Sequence, residues 1–166
     1  MSVFMDPLSK NLLSSLVKNS RTASLGTLHD GAPFVSMVLA APDPTHSVWF
    51  IHVSRLSGHT QDLLKDRRVS LMLALPDTGE KDPQQLARLT LTGEATELSD
   101  GSAEEDSAKE IYLAKFPHME EIVGALGDFS FWAIRPKSAR FVGGFARAFT
   151  LDPAALRAEI AAGAPA

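Results

Sequence analysis

Apolar residues along the first twenty positions recur at helical spacing. Leu8, Leu12, Leu13, Leu16 and Val17 fall on one side of a 3.6-residue repeat. Asp6-Pro7 supplies an N-cap residue and then a proline, whose missing N–H costs nothing at the first helical position. This predicts an amphipathic helix over residues 6–18, ended by Asn19-Ser20. From residue 21 the texture becomes that of strands. Residues 23–28 form a short run closed by His29-Asp30-Gly31, and Asp-Gly between apolar runs is a strong hairpin signal. Residues 33–41 are then the return strand, Pro42-Asp43-Pro44 the next turn, 47–54 a third strand, 60–65 a short helix and 69–75 a fourth strand. After a polar loop over 76–83 and a short turn near Leu86, residues 88–98 read as a strand interrupted at Gly93. Residues 102–126 read as helix split near Pro117, and 129–134 and 140–149 as the last strands, joined by Pro136-Lys137. A capped helix from Asp152-Pro153 frays into Gly163-Ala164-Pro165. About six strands, mostly in hairpin connections, with helices inserted or terminal, point to an antiparallel barrel in a mainly β, α+β fold.

Length and composition keep that picture to one domain over residues 1–166. A hydrophobic fraction of 45% supports a true core, and the formal net charge of 16 − 20 = −4 argues against nucleic acid as the main partner. There is no cysteine, which excludes disulfides, thiolate metal sites, iron–sulfur clusters and a cysteine nucleophile. The N-terminal residues lack a basic segment followed by an apolar run, and no stretch approaches the roughly 20 apolar residues of a membrane helix, so a soluble cytoplasmic protein is expected.

The stretch most suggestive of chemistry runs from the third strand into the short helix. Ser54, Arg55, Ser57, His59 and Thr60 place hydroxyls, a guanidinium and an imidazole at a helix N-terminus, where backbone N–H groups and the helix dipole favour an anion. The alternative is that Ser57 or Thr60 caps the helix while Arg55 is solvated. Strand alternation puts His52 on the same face as Ser54, facing either a ligand or the barrel wall. His29, His46 and His118 read as solvated, Trp49 and Trp132 as core or interface residues. No histidine pair has the spacing of a helical zinc site, and no dinucleotide loop, P-loop or serine-hydrolase elbow is present.

An ordered set of motifs adds a family. Arg21-Thr-Ala-Ser-Leu-Gly-Thr-Leu28, Gly31-Ala-Pro-Phe-Val-Ser36, Ser54-Arg-Leu-Ser-Gly-His-Thr60, Asp66-Arg-Arg-Val-Ser-Leu71, Arg88-Leu-Thr-Leu-Thr-Gly-Glu-Ala95 and Val142-Gly-Gly-Phe-Ala-Arg147 together resemble the pyridoxamine 5'-phosphate oxidase-like, FMN-binding split-barrel superfamily, in its haem-utilisation branch. The resemblance implies a split barrel, a homodimer and an FMN site at the subunit interface. It implies that Ser36 and Met37 line the flavin, with Val53 and Ser54 on the neighbouring strand end. It matches Ser57 to a phosphate-binding serine, with His59 at a lysine position and Thr60 following, and Arg147 to an arginine approaching from the partner subunit. The family's phosphate arginine and lysine are replaced by Ser36 and Ala41, so oxidation of pyridoxamine phosphate itself is not expected. The expectation is an FMN-dependent oxidoreductase of unstated substrate. The alternatives are a haem-binding or haem-degrading protein, for which no histidine follows His118, and a flavin sensor or storage protein.

Overall fold

The computed structural model describes residues 5–164. Helix α1 (Pro7–Asn19) starts as the sequence predicts, with the Asp6 carboxylate accepting the Ser9 N–H at 3.1 Å and the Ser9 hydroxyl at 2.6 Å. Strands β1 (Ala23–His29) and β2 (Ala32–Val38) form the expected hairpin. Its two central residues have positive φ, 48° at Asp30 and 83° at Gly31, the conformation that a tight two-residue hairpin demands.

The predicted return strand over 33–41 is broken. After Leu39 the chain leaves β1, and β3 (Ala40–Pro42) pairs with β4 (Trp49–Ser54) instead. Then follow α2 (Gly58–Lys65), β5 (Arg68–Ala74), β6 (Arg88–Glu97), α3 (Ala103–Lys115), α4 (Glu120–Ala125), β7 (Phe129–Val142), β8 (Ala148–Leu151) and α5 (Pro153–Ala162). All ladders are antiparallel, in the order β2-β1-β5-β6-β7-β4-β3, with β8 added to β7. The two ends of this order are consecutive in the chain. Counting β2 and β3 as one bent strand, and β8 as a hairpin extension, recovers the six-strand split barrel that the sequence predicts.

Two further expectations need correction. Pro136-Lys137 does not join two strands: β7 runs unbroken through them, and the ladder shifts register there, from Thr92↔Ser138 to Gly93↔Pro136. The extra residue is a β-bulge, one of the few places a sheet accepts a proline. The predicted strand over 140–149 ends at Val142, and residues 143–147 are a loop before β8. The helix break near Pro117 is a short 3-10 turn, and the Asp152 cap of α5 is present, while Pro165 lies outside the described residues.

Strand alternation sorts the side chains into two cores. Trp49, Ile51, Leu71, Leu91, Ile134 and Phe141 point into the barrel, where Leu13 and Leu16 of α1 and Leu156 and Ile160 of α5 pack on them. Phe50, Phe131 and Ala133 point outward from β4 and β7 and are covered by Ala108 and Tyr112 of α3 and by Phe116 just after it. Both tryptophans are buried. Among the described residues no helix is long and apolar enough to cross a membrane.

Candidate functional site

A cleft of about 300 Å³ opens where the barrel splits. Met37, Val38 and Leu39 at the β2–β3 bend form one wall. His52, Val53 and Ser54 at the end of β4 and Ser57 and His59 at the start of α2 form the next. Tyr112, Met119 and Phe129 close the third side. The cleft is open to solvent, since Met37 on its rim is 68% exposed. The structure therefore brings Met37, Val53, Ser54, Ser57 and His59 together on one surface. Ser36 joins them through its hydroxyl, 3.1 Å from His59 Nδ1.

The hydroxyls of the predicted anion site are occupied within the turn itself. Ser57 Oγ and Thr60 Oγ1 each contact the Ser54 carbonyl at 2.7 Å and lie 2.8 Å from each other. Each hydroxyl has one proton, so at most two of these three contacts are hydrogen bonds at once. Thr60 is fully buried. Ser54 Oγ donates to Asp128 Oδ2 at 2.7 Å. Arg55 donates to Glu97 at 3.0 Å and to Asp100 at 3.3 Å, and the Glu97 hydrogen bond leads the interactions that raise its pKa. One guanidinium here is shared between two carboxylates. Arg147 lies beside Leu8 and Gly144 and does not line this cleft within one chain; its expected approach is from a second copy.

The cleft histidines are uncharged at neutral pH. Burial, followed by the Lys109 charge, pushes His52 down to about 4. Burial also lowers His59, with Asp62 opposing it. His52 is packed among Phe131, Phe129 and Tyr112, with ring centroids 4.4, 5.1 and 6.0 Å away. Its Nδ1 is buried without a hydrogen-bond partner, and so is Nε2 of His59. Burial pushes the Tyr112 phenol up to about 12, so it stays protonated.

His29 is exposed, as the sequence predicts, and in addition its Nδ1 lies 2.7 Å from Oδ1 of Asp62. Asp62, 1% exposed, also accepts from Thr27 Oγ1 at 2.8 Å. The signal was available in the parity of β1, since Thr27 and His29 share a face, but their partner lies 33 residues on in a separate helix.

Comparison with known proteins places this architecture. The barrel is structurally related to pyridoxine 5'-phosphate oxidase-like and haem-utilisation proteins. Residues 13–155 match the family described as "CREG, beta-barrel", and the chain belongs to that family. It is 37% identical over 123 residues to the non-canonical heme oxygenase HOZ, chloroplastic, of Arabidopsis thaliana, spanning 73% of this chain and 35% of that protein. The heme binding protein of Mycobacterium smegmatis superposes with a TM-score of 0.79 at 26% identity, over 93% of this chain and 62% of that one. HutZ, the heme storage protein of Vibrio cholerae, shares the fold with a TM-score of 0.67 at 21% identity, over 73% of this chain and 84% of that one. The chain thus spans about a third of HOZ and about three-fifths of the mycobacterial chain.

Proposed function

We propose that this protein binds haem in the β4–α2–α3 cleft, with His59 as the iron ligand. The observation that carries the proposal is the pairing within His59: Nδ1 is held by Ser36 while Nε2 is buried and partnerless. Imidazoles that ligate metals are oriented in this way, through a hydrogen bond at the other ring nitrogen. His52 lacks such support. Met37, Met119 and Phe129 supply apolar and polarizable contacts. Bound haem would contribute iron-centred redox chemistry; the residues named here bind and orient it. The names of HOZ and the mycobacterial protein agree with this reading.

The FMN reading is weaker on the same geometry. A phosphate dianion would meet Asp128 and an Arg55 already paired with two carboxylates, and the lysine position holds an uncharged imidazole. The two readings predict opposite pH behaviour. FMN held by a cationic His59 would weaken as pH rises through the histidine range, whereas haem ligated by a neutral imidazole should bind no more weakly as pH rises through it, since ligation needs the deprotonated nitrogen. Titration of the cofactor-free protein with hemin, followed at the Soret band, is expected to saturate at micromolar concentration. His59→Ala should weaken binding at least tenfold and move the band, while His52→Ala should leave its position unchanged. Absence of a saturable Soret change in the wild type would refute haem binding. Saturable flavin binding in its place would restore the FMN assignment.

The cleft borders a sheet face that no helix covers among the described residues. By register, Met37, Ser24, Met72 and Thr90 form one row across β2-β1-β5-β6, and Val35, Gly26, Ser70 and Thr92 the next. Val35 is 67% exposed beside Met37. We propose that a second copy packs here, placing the cleft at a homodimer interface. Light scattering should give twice the chain mass of 17.9 kDa. Val35→Glu, which would bury an unpaired charge between the two copies, should give the monomer. A monomeric wild type would exclude this arrangement.

A further inference from the structure

We propose a second binding site, sharing no lining residue with the β4–α2–α3 cleft of the same chain, that takes an aliphatic carboxylate. A trough of about 460 Å³ lies between α1, the end of β5 and the loop over residues 143–147. Leu8, Leu12, Leu75 and Leu86 make its walls, and Lys81 and Arg147 stand at its edge. Leu8 is 54% exposed although it belongs to the apolar stripe of α1. That stripe is only partly used in the barrel core, and the remainder faces this trough.

The two cations are what make the trough selective. Among the described residues neither Lys81 nor Arg147 forms a side-chain hydrogen bond or ion pair. The Lys10, Lys65, Arg55, Arg68, Arg135 and Lys137 side chains, by contrast, all pair with carboxylates. Asp6 is the acidic group near Arg147, close enough to feel its charge, but that carboxylate is already engaged by the Ser9 N–H and hydroxyl.

The loop that carries Arg147 is shaped for this position. Gly144 has φ 131° and Ala146 has φ 59°, a left-handed conformation that a side chain disfavours. The Gly143 N–H donates to the Arg147 carbonyl at 2.9 Å, and the Arg147 N–H to the Gly144 carbonyl at 3.2 Å, which closes the loop into a tight turn. The turn projects Phe145, 90% exposed, beside the arginine. An apolar body fits between the leucines and a carboxylate fits the uncommitted lysine and arginine. This is the chemistry of a medium-chain fatty acid anion.

The assignment does not rest on haem binding, and the test keeps the two apart. Calorimetric titration of the full chain with decanoate is expected to saturate at submillimolar concentration, and decanol, which lacks the charge, to bind at least tenfold more weakly. Lys81→Gln and Arg147→Gln should each weaken decanoate about tenfold, equivalent to about 1.4 kcal/mol, and leave decanol unchanged. Leu8→Glu, at an exposed position that the fold tolerates, should abolish decanoate binding. The hemin titration should be the same in Lys81→Gln and Leu8→Glu. Equal affinity for decanoate and decanol, wild-type decanoate binding in both charge variants, or no saturable heat below about 5 mM, weaker than a ligand of this size needs to be specific, would overturn the site.

Discussion

Gly93→Ala is expected to destabilise the protein by more than about 3 kcal/mol, in the range reserved for backbone conflicts and disrupted cores. A methyl group built at Gly93 lies 2.1 Å from the Arg135 carbonyl oxygen, 2.9 Å from the Arg135 carbonyl carbon and 3.0 Å from Pro136 Cα. These are backbone atoms, so no rotamer change relieves the contact. The clash falls at the bulge, where β6 and β7 change register. Relief requires the two longest strands of the barrel to separate at their centre. For a chain of this length, thermal unfolding should move down by roughly 10 °C. Gly124→Ala makes a useful control, since nothing lies within 4 Å of the added methyl group there. Equal melting temperatures for Gly93→Ala and the wild type would show that the bulge relaxes freely.

Asp62→Ala is expected to lower the melting temperature by roughly 5–10 °C, because two hydrogen bonds to a charged group are lost together and Thr27 is left buried without its acceptor. Asp62 ties α2 to β1, so its loss also loosens the helix that carries His59. Burial alone would raise the Asp62 pKa, but hydrogen bonds from His29 and Thr27, with the charges of His29 and Lys65, hold it below the ordinary value of 3.8. A depressed carboxyl stabilises the folded state fully above its unfolded pKa, and the contribution is lost as pH falls through the folded value. The wild type should therefore lose stability on acidification below about pH 4 more steeply than Asp62→Ala. Parallel acid-unfolding curves for the two proteins would rule out this role.

Much of the barrel was legible in the sequence because the relevant signals are local. Asp30-Gly31 specifies its hairpin through the two positive φ values that it tolerates, and Asp6 and Asp152 cap their helices with carboxylate oxygens a few residues away. The bend at Leu39 was not legible. Residues 33–41 form one uninterrupted run, and the switch of partner from β1 to β4 follows from barrel closure, not from any residue that breaks a strand. Pro136 misled for the opposite reason. It breaks strands on average, but here a bulge opposite Gly93 removes the demand for its missing N–H.

The Ser54–Thr60 stretch shows the same division at the level of chemistry. The residue types of an anion site were present, and Met37, Val53, Ser54, Ser57 and His59 do meet at one cleft. Their hydrogen-bonding capacity was not readable from their order. Ser57 and Thr60 turn inward to the Ser54 carbonyl, and Arg55 reaches Glu97 and Asp100, more than forty residues away in the chain.

By itself the sequence determined the strand and helix periodicity, the tight hairpin, the helix caps and the set of groups able to carry chemistry, because each depends on neighbours within a few residues. The tertiary structure alone decided which of those groups are charged, paired or available. Desolvation of His52 and His59, the carboxylates around Arg55, the Asp62–His29 tie and the uncommitted pair Lys81 and Arg147 all depend on contacts between distant segments, and chain order does not encode the dielectric or the partners that a side chain meets after folding.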